Sequence, residues 1–371
     1  MVIAHIINDD GGVGRVVESL CNHQVNDGHI VYIFTANGKQ NFLNRLNKAI
    51  KVEIIPAVSS LPPIVFGMPI SDIFRTLSES HLNEKIIIHA HNLVTIGLAS
   101  KVNGIPIVCT IHGLSKFPNA KETLRTRLQT LALSSIIKRI KKNSGSVIGV
   151  SQQTASHYQK LSKRSIETIY NGTPTVAPPR IQEKEYITIS HIGDISTAKG
   201  WDCTLKAFAA AKRLLPDVNL RFVSAGKLCD IDLQTIKKLK GELSLSEKDF
   251  AFLGFVKNPE DIYLNTDLLI LASDSEGLPM SILEAQSFGI PVLCTDVGGC
   301  SEIIKDGYNG FIIKKESFDI ARKIYDLVTD KELQEKMRLN ALKTHKDLFS
   351  LEVMATNYYK AYNLLGELNE E

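Results

Sequence analysis

The chain has 371 residues, enough for two domains that each bury a core, and 44% hydrophobic with 22% charged residues is the balance of a globular protein. Its formal net charge of +3 hides a split: residues 1–180 carry 20 Lys and Arg against 10 Asp and Glu, and residues 181–371 carry 23 against 30, so the halves present fields of opposite sign. No apolar run reaches the roughly 18 residues of a membrane-spanning helix, and aromatics, at 7%, do not interleave with the cations as a nucleic-acid surface requires.

Residues 2–7, VIAHII, read as a buried strand: Asp9 and Asp10 follow at once and no small-residue cleavage site is present, which argues against a signal peptide. Further β-branched runs at 30–34, 52–55, 86–90, 105–110, 146–150 and 167–170 alternate with amphipathic segments, the pattern of parallel sheets covered by helices. Residues 171–185 concentrate Pro, Gly, Thr and charge and read as a linker. The pattern restarts with strands at 186–192, 219–225, 249–255, 267–273 and 291–295, and 346–366 has helical spacing with no strand after it. The predicted fold is α/β, two doubly wound domains at 1–175 and 186–345, with 346–371 as a closing helical segment. Cys21, Cys109, Cys203, Cys229, Cys294 and Cys300 are scattered without a Cys-x-x-Cys pair or zinc-like spacing, which fits a reducing, cytoplasmic compartment.

Ligands of open parallel sheets bind beyond the carboxyl ends of the strands, and there the stretch SDSEGLPMSILE (273–284) holds two carboxylates eight residues apart. Gly277 and Pro279 force a turn that starts a helix, whose first N–H groups point outward and can hold an anion or sugar hydroxyls. Glu284, one helical turn beyond Met280, leans back toward the same end, so two acceptors can reach one hydroxyl-rich ligand. The plainer alternative makes Glu276 a charge favourable to the helix dipole and Glu284 a solvated residue. GGVGR (11–15) follows the first strand, but with Val17 in the third glycine position and no acidic residue after the second strand it is a poor dinucleotide fingerprint; a G-x4-G-K-[ST] run is absent. The Asp-x-Asp at 230–232 reads as a helix cap, not a metal site. His89 and His91 in IIIHAHN are expected to alternate across their strand end, lining a cleft without sharing a metal.

EGLPMSILE, followed by A-x-S-x-G-x-P-V and TDVGGCSEIIKDGYNGFII, resembles the family-4 retaining glycosyltransferases over nearly the whole chain. The resemblance implies the GT-B fold, with two Rossmann-like domains facing a central cleft, the first binding acceptor and the second the nucleotide sugar. It implies that Glu284 binds the ribose, that Glu276 and the backbone of Gly277, Leu278, Pro279 and Met280 contact the donor sugar, and that His112 in TIHG faces that sugar. Gly12, Gly14 and Arg15 match a donor-contacting loop, Val256 in GFVKNPEDIY a base-contacting one, and Gly193, Lys199 and Gly200 in HIGDISTAKG the diphosphate grip. Asp194 stands where the family has an arginine, putting the strength of that grip in question. The final helix is expected to cross back onto the first domain.

The implied chemistry is retaining, with Glu276, Lys199 and His112 as catalytic candidates, no metal and no cofactor, the nucleotide sugar being a substrate. A same-face mechanism is expected, in which the leaving diphosphate accepts the acceptor's proton. Residues 121–142 carry seven Lys and Arg against one Glu with apolar residues between, suited either to an anionic membrane surface or to a core-facing helix with a solvated basic face. The expected partner is thus a glycan, or an acceptor linked to polyprenyl diphosphate, at the cytoplasmic membrane face; no nucleic acid is expected. A transferase for a soluble acceptor and a non-catalytic nucleotide-sugar-binding protein are the alternatives.

Overall fold

The computed structural model describes residues 1–9, 11–35, 40–54, 70–91, 93–100, 102, 104–113, 124–142, 145–176 and 185–367. The chain divides into two compact units, Met1–Gly172 with Leu351–Glu371, and Thr173–Ser350.

The first unit is built on seven parallel strands: β1 (Val2–Ile7), β2 (Ile30–Thr35), β3 (Lys51–Ile54), β4 (Ile86–His91), β5 (Ile107–Ile111), β6 (Ser146–Gly149) and β7 (Glu167–Thr168), in the order 3-2-1-4-5-6-7. Helices α1 (Gly12–Asn26), α2 (Gln40–Leu43), α3 (Ile70–Ser80), α4 (Leu93–Ala99), α5 (Leu124–Lys142) and α6 (Gln152–Ser162) connect them. The inner strands are buried along their length, as parallel sheets covered on both faces require, whereas all four residues of β3, at the sheet edge, are exposed.

The second unit repeats the plan with six parallel strands: β8 (Ile187–Ile192), β9 (Leu220–Ala225), β10 (Phe250–Phe252), β11 (Leu268–Leu271), β12 (Val292–Thr295) and β13 (Gly310–Ile313), in the order 10-9-8-11-12-13. Strand β13, GFII, is absent from the sequence reading: four residues behind a turn, without a following run of alternation, give too little periodicity to register. Its helices are α7 (Trp201–Leu214), α8 (Leu233–Glu242), α9 (Glu260–Leu264), α10 (Met280–Ser287), α11 (Cys300–Ile303), α12 (Ser317–Thr329) and α13 (Lys331–Thr344). Trp201, Phe208, Phe222 and Phe250 fill its core beside Ile270 and Leu293.

In place of one helix over 346–366, the chain forms a π-helical turn at His345–Phe349 and then α14 (Leu351–Glu367). Helix α14 packs in the first unit, with Tyr358 and Tyr362, four apart and hence on one face, fully buried. Both sheets reverse their strand order next to a central strand, between β1 and β4 in one unit and β8 and β11 in the other, the place where open α/β sheets form their ligand crevices.

Candidate functional site

In the second unit the loops after β8 and β11 meet at this reversal, tied by the Asp274 N–H donating to the Ala198 carbonyl at 2.8 Å. Lys199, just before Gly200 caps α7, donates its Nζ to Glu276 Oε1 at 2.7 Å, and Ser273 Oγ donates to the same oxygen at 2.7 Å. The Glu276 side chain is 9% exposed and that of Lys199 29%, so a ligand reaching the lysine could draw it from the carboxylate. Thr295 at the end of β12 donates to the Ser273 carbonyl at 2.6 Å, and Gly299 N–H to the Gly277 carbonyl at 2.7 Å, which holds the turn in shape. Gly298 makes this possible: its φ is +58°, and a Cβ there would lie 2.0 Å from the Glu276 carbonyl oxygen.

Pro279 caps α10, with Leu278 buried beside it, while Glu276, Gly277 and Met280 are partly exposed. The first-turn N–H groups of α10 lack intrahelical acceptors and add the positive end of the helix dipole. One turn along, Glu284 Oε2 accepts from the Tyr263 hydroxyl at 2.6 Å, and the Tyr263 ring stacks on Phe288 with centroids 5.4 Å apart. The Glu284 carboxylate is therefore held by α9, a partner that no spacing in the sequence announces. A second ion pair, Lys315 Nζ to Asp274 Oδ1 at 2.7 Å, also reaches the Thr197 carbonyl at 2.7 Å.

Gly193 is partly exposed and Asp194 is exposed beside it. Val256 is partly exposed in a loop joined to the one after β9 by Gly226 N–H donating to the Gly254 carbonyl at 2.8 Å. Next to it the exposed Phe255 ring carries Lys227 Nζ 5.2 Å from its centroid. Asp232 caps α8, accepting from Thr235 N–H at 2.7 Å, and the Thr197 hydroxyl holds the Asp230 carboxyl below the usual carboxylate range.

In the first unit Gly12 opens α1 and is exposed, with Arg15 partly exposed one turn on. Gly14 is buried for a reason internal to the chain: a Cβ there would stand 2.7 Å from the Asp9 carbonyl oxygen. His112 follows β5, partly exposed, with its Nδ1 buried and without a hydrogen-bond partner.

The reading of His89 and His91 is corrected. Residues two apart in a strand share a face, and the two rings lie 4.0 Å apart, buried in the unit rather than lining a cleft. With His5, the Cα partner of His89 across β1 and β4, they bring one nitrogen each within 4.8 Å of one another, close enough to hold a metal ion. Both nitrogens of all three rings are already engaged, however. His5 meets Gln24 and His91, His89 meets Tyr362 and Thr110, and His91 meets His5 and His112. An ion would have to break that network. Burial pushes His5 down to about 4 and His112 to about 3, and holds His89 and His91 well below the ordinary histidine value.

Of the basic stretch 121–142, residues 121–123 lie outside the described residues, and the rest forms α5. Leu133, Ile137 and Ile140 face the core of the unit, and Lys138, Arg139 and Lys142 are exposed. That part of the helix is core-facing with a solvated basic side, so its apolar stripe is spent inside the protein. Among the described residues no helix is long and apolar enough to cross a membrane.

The family model described as glycosyl transferases group 1 matches residues 173–344, and that of glycosyltransferase family 4 matches residues 10–176. The N-acetyl-alpha-D-glucosaminyl L-malate synthase of Bacillus anthracis is 26% identical, over 95% of this chain and 93% of its own. The O-antigen biosynthesis glycosyltransferase WbnH of Escherichia coli is 32% identical over 54% of this chain and 53% of its own. The crystal structure of Anabaena Alr3699/HepE in complex with UDP and glucose matches with a TM-score of 0.75 at 18% identity, covering 98% of this chain and 99% of that one. With two parallel-sheet units of the GT-B kind and family matches running from residue 10 to residue 344, the chain belongs to the family-4 glycosyltransferases.

Proposed function

We propose that this glycosyltransferase moves a sugar, with retention of configuration, from a nucleotide-sugar donor to a growing glycan, most plainly a lipid-linked polysaccharide intermediate. The observation that carries the reading is the meeting of Lys199 and Glu276 at the strand-order reversal of the second unit, in the turn before α10, whose Glu284 Tyr263 holds in place. Lys199 is the cation for the donor diphosphate. Glu276 and the N–H groups from Gly277 to Met280 take the sugar hydroxyls, Glu284 the ribose, and the backbone near Gly193 and Val256 the phosphate and base. In the first unit His112 serves the sugar, and the Gly12, Gly14 and Arg15 turn serves donor or acceptor. The acceptor oxygen bonds to the anomeric carbon as the bond to the diphosphate breaks on the same face, and the proton passes to the leaving phosphate oxygen. The protein then acts through orientation and charge stabilisation, without metal or cofactor.

A UDP-sugar is favoured over GDP-mannose, supported by the UDP and UDP-glucose complexes of Anabaena HepE. A polysaccharide acceptor is supported by relatives such as WbnH and the capsular polysaccharide enzyme CapM of Staphylococcus aureus. Docking at the cytoplasmic membrane face would draw on the exposed cations of α5 and so be salt-sensitive. A second reading, a protein that binds nucleotide sugar without transferring it, is favoured by Asp194, whose exposed carboxylate opposes a diphosphate.

The test is thermal denaturation with UDP, GDP or neither, for the native chain and Glu284→Ala. At about 100 times the dissociation constant a ligand adds roughly 2.7 kcal/mol, several degrees of midpoint. A shift with one nucleotide, lost in the variant, is expected; no shift with either would overturn the donor assignment. Release of UDP from UDP-glucose then separates transfer from mere binding.

A further inference from the structure

His5, His91 and His112 of the first unit form a line. Gln24, fully buried on α1, accepts from His5 at 2.8 Å through its Oε1 and donates from Nε2 to the Tyr362 hydroxyl at 3.3 Å. His5 Nδ1 lies 2.9 Å from His91 Nε2, and His91 Nδ1 lies 3.1 Å from His112 Nε2. Every neutral imidazole carries one donor and one acceptor, so one end of the line decides the other. An amide oxygen cannot donate, hence His5 holds its proton on Nε2 and offers a lone pair at Nδ1. His91 must then donate from Nε2 and accept at Nδ1, and His112 must donate from Nε2. The last nitrogen, His112 Nδ1, is left with a lone pair and no partner, although it is buried.

An unmade bond at a buried nitrogen is costly, and it stands at the carboxyl end of β5, where ligands of such sheets bind. A lone pair repels an anionic oxygen and welcomes a hydroxyl. We propose that Gln24, through His5 and His91, sets His112 in the tautomer whose Nδ1 accepts a hydrogen bond from a neutral hydroxyl of the donor sugar. Gln24, His5 and His91 are positioning residues in this scheme. The choice of a sugar hydroxyl rests on the reading under Proposed function, while the tautomer does not. The line has one alternative polarity: turning the Gln24 amide over would reverse all three rings and make Nδ1 a donor. Tyr362, whose hydroxyl lies 3.3 Å from Gln24 Nε2 and 2.7 Å from His89 Nδ1, couples the orientation of the amide to the proton position on His89.

The experiment is nitrogen-15 NMR of the full chain labelled at histidine, with His112→Asn to assign the signals. At pH 7 the native protein is expected to show a non-protonated Nδ1 and a protonated Nε2 for His112. In Gln24→Met the amide is gone, and both His112 resonances should move toward the average of the two tautomers. Tyr362→Phe leaves Gln24 in place but removes the hydroxyl that couples its amide to His89, and should also move both resonances, so that the case does not depend on one variant folding. A protonated Nδ1 in the native chain, or His112 signals unmoved in both variants, would overturn the relay.

UDP-glucose is expected to shift the Nδ1 resonance where UDP alone does not, and Gln24→Met to weaken UDP-glucose by about threefold to tenfold while sparing UDP. A resonance that ignores UDP-glucose bound as tightly as UDP overturns the hydroxyl assignment. If the native chain binds no nucleotide or nucleotide sugar at all, it is the donor reading that fails, and the tautomer measurement still decides the relay.

Discussion

The two units place different chemistry on the same scaffold. Beside the strand-order reversal of the second unit stand charges, Lys199 on Glu276 and Lys315 on Asp274, in a shell open enough for each lysine side chain to be 29% exposed. Beside that of the first stand imidazoles, an amide and phenols, buried and uncharged. A charge can be kept only where water or a close counter-ion shares its cost, whereas neutral donors and acceptors can be sealed in if each is paired. One unit therefore keeps its charges near solvent and the other seals in neutral groups, and the difference lies in solvation rather than in topology.

Acid should separate the units most sharply. Burial lowers His5, His89 and His91, so the unfolded chain binds more protons than the folded one below about pH 6.5. Their contribution is intact above that value and is lost as the pH falls toward 4, at up to about 1.4 kcal/mol per pH unit for each ring. Hydrogen exchange at pH 4.5 should show β1, β4 and β5 opening before β8 and β11, where His191 is the one histidine pushed down, to about 4. Equal protection in both units would erase the contrast.

Next in size, Lys199→Ala should cut kcat/KM for sugar transfer by about 100-fold or more, since the diphosphate loses its cation and meets an uncompensated Glu276. A transfer rate within about threefold of native would remove Lys199 from the chemistry. Tyr263→Phe frees the Glu284 carboxylate without removing it, and calorimetry should show UDP binding weakened by about threefold to tenfold. The smallest effect concerns α5: Lys138→Gln with Arg139→Gln should weaken co-sedimentation with anionic vesicles at low salt, each charge adding about 1 kcal/mol at most. Retention unaffected by the pair would exclude the described face of α5 as a membrane contact.

Much of the fold was legible because buried parallel strands are short β-branched runs, and the positions of β1, β8 and β12 follow from VIAHII, YITISHI and PVLCT almost residue for residue. Strand β13 was not, being four residues behind a turn. The Lys199, Glu276 and Glu284 set was legible as a string, but their partners were not. Tyr263 reads as an ordinary apolar position of a short helix, and Lys315 as one surface cation among many. The histidine line was hidden more deeply. His5, His91 and His112 stand on or just after β1, β4 and β5, which the sheet brings side by side, while Tyr362 comes from a helix more than 200 residues later. Local periodicity carries no record of such closure.

Helix α14 also sets an order of events. On a ribosome adding about 5 to 20 residues per second, the 178 residues from Thr173 to Ser350 take roughly 10 to 35 s to emerge, and only then do Tyr358 and Tyr362 follow. Throughout that interval the nascent first unit has Gln24, His89 and Thr110 in place with no phenol to meet them. Its maturation thus waits on the synthesis of the whole second unit, and a chain stalled before residue 351 would lack Tyr358 and Tyr362.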